Sequence, residues 1–116
     1  MRAEQYVPNA DMIVVANLAK MIAHRCLDIT IKVKFVACKE ANTLAQYGDR
    51  TLTFNVSQLG EQWFKPRLDA IIIDLIIHEL GHEYGWHTET RYQDAITKIA
   101  GRLTILALEE PKVFEV

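Results

Sequence analysis

Residues 67–84 constrain this chain more than any other stretch. Within them, residues 70–77 read Ala-Ile-Ile-Ile-Asp-Leu-Ile-Ile and lead without a break into His78-Glu79-Leu80-Gly81-His82. Locally, such an apolar run suits a buried strand or a buried helix. It continues past ordinary strand length into residues that suit a helix, so a helix over 67–84 is expected. Being apolar nearly all round, it belongs in the middle of the fold. Gly85 is expected to end it with a left-handed stop. A glycine inside a helix costs roughly 0.5–1 kcal/mol relative to alanine, so Gly81 points to close approach by a neighbouring element, expected to be a strand.

The flanking segments set the fold class. Residues 1–8 look like a loose lead-in ending at Pro8, after which Asn9 or Asp11 can cap a helix running to about Leu27. Val14, Val15, Leu18, Ala19 and Ile22 give that helix its apolar spacing. Residues 29–36 (Ile-Thr-Ile-Lys-Val-Lys-Phe-Val) and 51–56 (Thr-Leu-Thr-Phe-Asn-Val) alternate and are rich in β-branched side chains, so both read as strands. A short strand within 41–47 is expected to pair antiparallel with the second of these across Gly48-Asp49. Residues 57–66 form a connector with a helical turn that sends Trp63 and Phe64 into the core. A last helix starts near Thr88 or Thr90 and carries Tyr92, Ile96, Ile99, Ala100, Leu103 and Leu106 as its stripe. Pro111 ends it, and residues 113–116 are expected to fray. The expected architecture is a single α+β domain: an N-terminal helix, a small three-stranded mixed or antiparallel sheet, the central helix and a C-terminal helix. A chain of 116 residues, half of them apolar, can bury a core of that size.

The chemistry concentrates at the end of the central helix. At ~100° per residue, His78 and His82 lie about 40° apart around the axis and ~6 Å apart along it. Both imidazoles can therefore reach one metal ion from one face. Glu79, one step round, can hold a metal-activated water without occupying a coordination place. This is the arrangement of metal-assisted hydrolysis, with Glu79 as the general base. Histidine is otherwise scarce, with only His24 and His87 outside the motif. Two imidazoles and a carboxylate beside a buried run are costly without partners. A catalytic zinc wants a third protein ligand and an open position. His87, brought back by a turn at Gly85, is the first choice, with Glu89 and Asp94 as alternatives. Asp74, one turn before His78, is a candidate for orienting an imidazole. Tyr84 and Tyr92 are hydroxyl candidates for stabilising an oxyanion. Each of these also has a plainer structural role open to it, as a core aromatic or a helix-terminal acid.

The stretch 78–82 resembles the zincin superfamily of metallopeptidases, whose five-residue His-Glu-x-x-His motif it matches in full. The order of elements over roughly 29–106 is similar to minimal zincin domains of the SprT-like, WLM-like and ImmA/IrrE-type prokaryotic or phage metallopeptidases. Residues 86–92 with Asp94-Ala95 look like compact phage-encoded zincins. Gly85 matches the glycine of the metzincin extension. The third histidine departs from that extension: its position holds Thr88, with His87 one residue short, and no methionine follows for a Met-turn. The resemblance implies one zinc ion on His78 and His82, Glu79 as base, and a peptide or protein as substrate. A non-catalytic reading stays open beside it, in which zinc only stabilises a protein-interaction or regulatory module.

Other classes are disfavoured. Net charge is −2 with acids and bases interspersed, so no basic stripe marks a nucleic-acid or anionic-membrane surface. Residues 12–19 are apolar, but Glu4, Asp11, Asn17 and Lys20 argue for an amphipathic helix rather than an export signal. Neither this run nor 70–77 is long enough to span a bilayer. Cys26 and Cys38 lack the spacing of a disulfide framework or of a paired zinc knuckle and are expected to be reduced. Together these point to a cytoplasmic protein.

Overall fold

Asn9 starts the first helix: its side-chain oxygen accepts a hydrogen bond from the Met12 amide at 3.0 Å. The helix, α1, runs Ala10–Leu27 and ends at Asp28, whose φ of 56° is left-handed. Its buried face includes Met12, Val15, Leu18, Ala19 and Ile22. The computed structural model describes residues 3–115.

Among the described residues there are four strands, one more than expected: β1 (Glu4–Gln5), β2 (Lys32–Ala37), β3 (Ala45–Gly48) and β4 (Thr51–Asn55). The fourth comes from the expected lead-in, where β1 pairs antiparallel with β2 and Tyr6 donates to the Phe35 carbonyl at 2.9 Å. Such a short strand has no periodicity of its own and exists because β2 offers it an edge. Strand order is β1-β2-β4-β3, with β2 and β4 parallel and β3 and β4 antiparallel. The hairpin turns at Asp49 and Arg50, both at positive φ (50° and 56°), the conformation that a two-residue hairpin turn of matching twist requires. Strand β4 is therefore interior, and the edge strands are β1 and β3.

Alternation sets the faces. Phe35 pairs with Phe54, and Ala45 lies opposite Phe54 on the other side, so all three share the face that meets the helices. The rings of Phe35 and Phe54 stack at 5.5 Å, and Phe64 meets Phe54 edge-on at 5.5 Å. Phe64 comes from a 3₁₀ turn, Glu61–Phe64, that follows the short helix α2 (Val56–Leu59). Val56, expected at the end of a strand, instead opens this helix.

The central helix, α3, runs Ala70–Gly81, shorter than the expected 67–84 at both ends. Asp69 sets its start by accepting from the Ile72 amide at 2.8 Å, after Arg67 has turned the chain at φ 64°. Its end comes before Gly85: the amides of His82, Glu83 and Tyr84 tighten into bonds three residues back. Gly85 sits beyond, at φ 155°. Nor is the helix buried all round. Ile72, Ile76 and Leu80 are in the core, Ile73 and Ile77 are half-buried, and Ile71 is 65% exposed.

The last helix, α4 (Thr90–Glu109), packs on both α3 and α1. It supplies the close neighbour that Gly81 admits, a helix and not the expected strand. A Cβ at position 81 would lie 2.6 Å from Tyr92 Cε2 and 2.7 Å from Ile96 Cγ2. Beyond α4, Pro111–Phe114 form a 3₁₀ turn instead of fraying, and Val113 and Phe114 pack against the core. Val116 lies outside the described residues, as do residues 1 and 2 of the expected lead-in. Cys26 and Cys38 are both buried thiols, not joined in a disulfide. No helix among the described residues is long and apolar enough to cross a membrane.

Candidate metal centre

The last two turns of α3 carry His78 and His82 on one face, and the chain beyond Gly85 returns His87 to them. One ring nitrogen from each of the three lies within 4.8 Å of the other two, so His78, His82 and His87 can hold a metal ion. The Nε2 atoms of His78 and His87 stand 3.0 Å apart. Two nitrogens on one tetrahedral zinc, at Zn–N distances of about 2.0–2.1 Å, are separated by roughly 3.3 Å, so the pair is already near a ligand–ligand edge.

In His82 and His78 the other ring nitrogen is held by the protein. His82 Nδ1 is 2.9 Å from the Gly85 carbonyl, which can only accept, so Nδ1 carries the proton and Nε2 keeps its lone pair. For His78, the Tyr92 hydroxyl donates to the His78 carbonyl at 3.1 Å and turns a lone pair toward Nδ1 at 3.2 Å. This selects the same tautomer and again leaves Nε2 for a metal. Burial, with the neighbouring His87 and His82 in second place, lowers the His78 pKa and favours the neutral imidazole that ligation needs. Gln93 steadies the His87 loop by donating to its carbonyl at 3.0 Å.

Glu79 is 6% exposed and faces a cleft beside this group. One of its carboxylate oxygens lies 3.7 Å from His78 Nε2. Burial pushes its pKa up to about 7, so its carboxyl exchanges protons near neutrality.

The other expected site residues lie as follows. Tyr92 is buried, and its hydroxyl orients His78; burial, then the Glu79 charge, raise its pKa and keep it protonated. Glu89 precedes α4 and is bound by Arg91 at 2.7 Å, which draws its carboxyl below the usual range. It also passes Gly85, where a Cβ would come 2.6 Å from its Oε2. Asp94 and Tyr84 line a separate depression with Arg91 and Lys98. Asp74 lines the cleft, whereas the bonds that orient the imidazoles come from Tyr92 and the Gly85 carbonyl. His24 is on the surface.

Two groups escaped the sequence reading. Glu83, directly after His82, accepts from the Tyr47 hydroxyl at 2.6 Å and from Arg50 Nε at 2.8 Å, tying the β3–β4 hairpin to the metal-proximal end of α3. Asn55 is fully buried; its amide group donates to the carbonyls of Cys38 and Thr43 at 2.9 and 3.0 Å. It thereby shapes the loop that delivers Leu44 to the cleft. Neither residue carries a local signal, because its partners are distant in sequence.

Tyr92→Phe is expected to weaken zinc binding by roughly 10–100-fold, the usual cost of losing a group that orients a ligand. The ring still packs on Gly81, so the far-ultraviolet circular dichroism should be unchanged. Competition titration against a zinc chelator reads the affinity, and a value equal to the parent's would dismiss the orienting role.

Comparison of the chain with models of protein families, with curated proteins and with solved structures finds no match. The class defined by fold and site is thus an α+β domain with a three-histidine cluster able to hold a metal ion.

Proposed function

We propose that this chain is a zinc-dependent peptidase. The observation that carries the reading is the convergence of His78, His82 and His87 beside the buried Glu79, with His78 and Glu79 on the wall of a cleft open to solvent. Three imidazoles with an open fourth place suit zinc, which would supply Lewis acidity and lower the pKa of a water. Tyr92 and the Gly85 carbonyl keep two of the ligating rings in the required tautomer. Glu79, with its carboxyl near neutrality, takes the proton of the attacking water and returns it to the departing amine. The edge position of β3 supports the same reading: Ala45 lines the cleft with His78 and Glu79, so an extended segment adding to this edge would pass them.

Incubating the zinc-loaded chain with a mixed peptide library and reading cleavage by mass spectrometry tests the proposal. Cleavage should appear, stop on chelation and return with added zinc. A library left intact by fully zinc-loaded protein would reject the peptidase reading and leave the zinc-stabilised module in its place.

A further inference from the structure

The cleft beside Glu79 has a volume of about 500 Å³ and is walled by Leu44, Trp63, Ile71 and Leu75. Two of these are conspicuously wet: Ile71 is 65% exposed and Leu44 is 47% exposed. Large apolar side chains brought together in a concave, solvent-open wall favour an apolar ligand. Besides His78 and Glu79 at the histidine end, one polar side chain interrupts the apolar wall. Asp74 projects into the same cleft one helical turn before His78, and no lysine or arginine lines it. Among the described residues Asp74 takes part in no ion pair, whereas Asp11, Glu83, Glu89 and Glu110 each pair with an arginine.

An apolar wall with the exposed Asp74 carboxylate one turn from His78 matches an amphipathic side chain. Arginine and lysine bury a hydrocarbon stem along apolar surface and keep a charged head for a carboxylate or for water. We infer that the cleft selects an extended peptide that places a basic side chain, arginine or lysine, against Leu44, Trp63, Ile71 and Leu75 with its head at Asp74. This assignment rests on the peptidase reading only for where the peptide runs. An acidic side chain meets Asp74 as a like charge and is rejected; an apolar one gains the wall and forgoes the pair. Because Asp74 is exposed, the charge contributes selectivity rather than most of the affinity.

The test uses the full zinc-loaded chain carrying Glu79→Gln, so that peptides bind without turnover. Blocked hexapeptides identical except for arginine, norleucine or glutamate at one position are titrated while the Ile71 and Leu75 methyl resonances are followed. Arginine should bind about fivefold tighter than norleucine, and glutamate weakest. Asp74→Asn should bring the arginine-to-norleucine ratio to about one, Asp74→Glu should restore it, and raised salt should shrink it. Equal binding of arginine and norleucine, a ratio that survives Asp74→Asn, or no peptide at these methyl groups would each overturn the inference. Digestion by the parent chain separates the two claims. Cleavage without a basic preference sinks this inference alone. The expected binding ratios without cleavage by the parent sink the peptidase reading alone.

Discussion

Replacing His82 with alanine should lower zinc affinity by more than about 100-fold, beyond the 10–100-fold attached to groups that merely orient a ligand. The ring centroid of His82 lies 5.4 Å from that of His78 and 4.5 Å from that of His87, so all three imidazoles surround one point. Its Nδ1 is committed to the Gly85 carbonyl, so Nε2 is the nitrogen left to bind. Removing it leaves two ligands, and an imidazole pair alone holds zinc weakly at neutral pH. Metal content after gel filtration and a chelator competition read the loss. Zinc should raise the melting temperature of the parent, because a ligand that binds only the folded state stabilises it by mass action, and should leave His82→Ala unmoved. His87→Ala should follow His82→Ala, whereas Glu89→Ala should retain zinc, since Glu89 is turned to Arg91. Parent-like zinc content in His82→Ala would remove the metal centre from this account.

Glu79→Gln separates metal binding from chemistry. The amide keeps the shape of the side chain and lies off the ligand set, so zinc stoichiometry should match the parent. Hydrolysis should fall by roughly 10²–10⁴-fold, the usual contribution of a positioned general base. Equal rates in variant and parent would remove Glu79 from the reaction. A second readout needs no substrate. In the metal-free chain, burial raises the Glu79 carboxyl from 4.5 to about 7. Between those two values the folded state holds a proton that the unfolded state has released, so the parent loses stability as pH rises through the window. Glu79→Gln lacks this loss. Its stability advantage over the parent should therefore grow by on the order of 3 kcal/mol from below pH 4.5 to pH 8, from the size of the shift. The lowered pKa of His78 works in the opposite sense, since stability from a depressed histidine is lost as pH falls. Taking the difference between variant and parent isolates the carboxyl. Urea denaturation in chelator at several pH values measures it, and parallel curves would show that the carboxyl is solvated.

Several features were legible because their causes are local. Apolar spacing at 3.6 residues marked α1 and α4, alternation marked β2 and β4, and Asn9, one of two candidate caps with Asp11, marked the start of α1. Four-residue spacing on a helix alone put His78 and His82 on one face. The errors share a different cause. The two-residue β1 depends on a partner strand, the stop of α3 depends on a tightened last turn, and the neighbour admitted by Gly81 depends on the packing of α4. The apolar run 70–77 suggested full burial because hydrophobicity reports what can be buried. Tertiary packing left Ile71 facing a cleft, so the helix has an apolar cleft wall as well as a core face.

The sequence by itself determined that this is an α+β chain whose central helix presents two histidines and a glutamate at metal-binding spacing, since bond geometry and helical pitch are enough for that. Only the tertiary structure decided which residue completes the cluster, what orients it and what faces it. His87 joins His78 and His82 where Glu89 and Asp94 do not, Tyr92 and the Gly85 carbonyl hold the rings, and β3 is the edge strand beside the cleft. The reason is physical: these relations join residues from different elements, and their distances follow from how α3, α4 and the sheet pack, which no local pattern encodes.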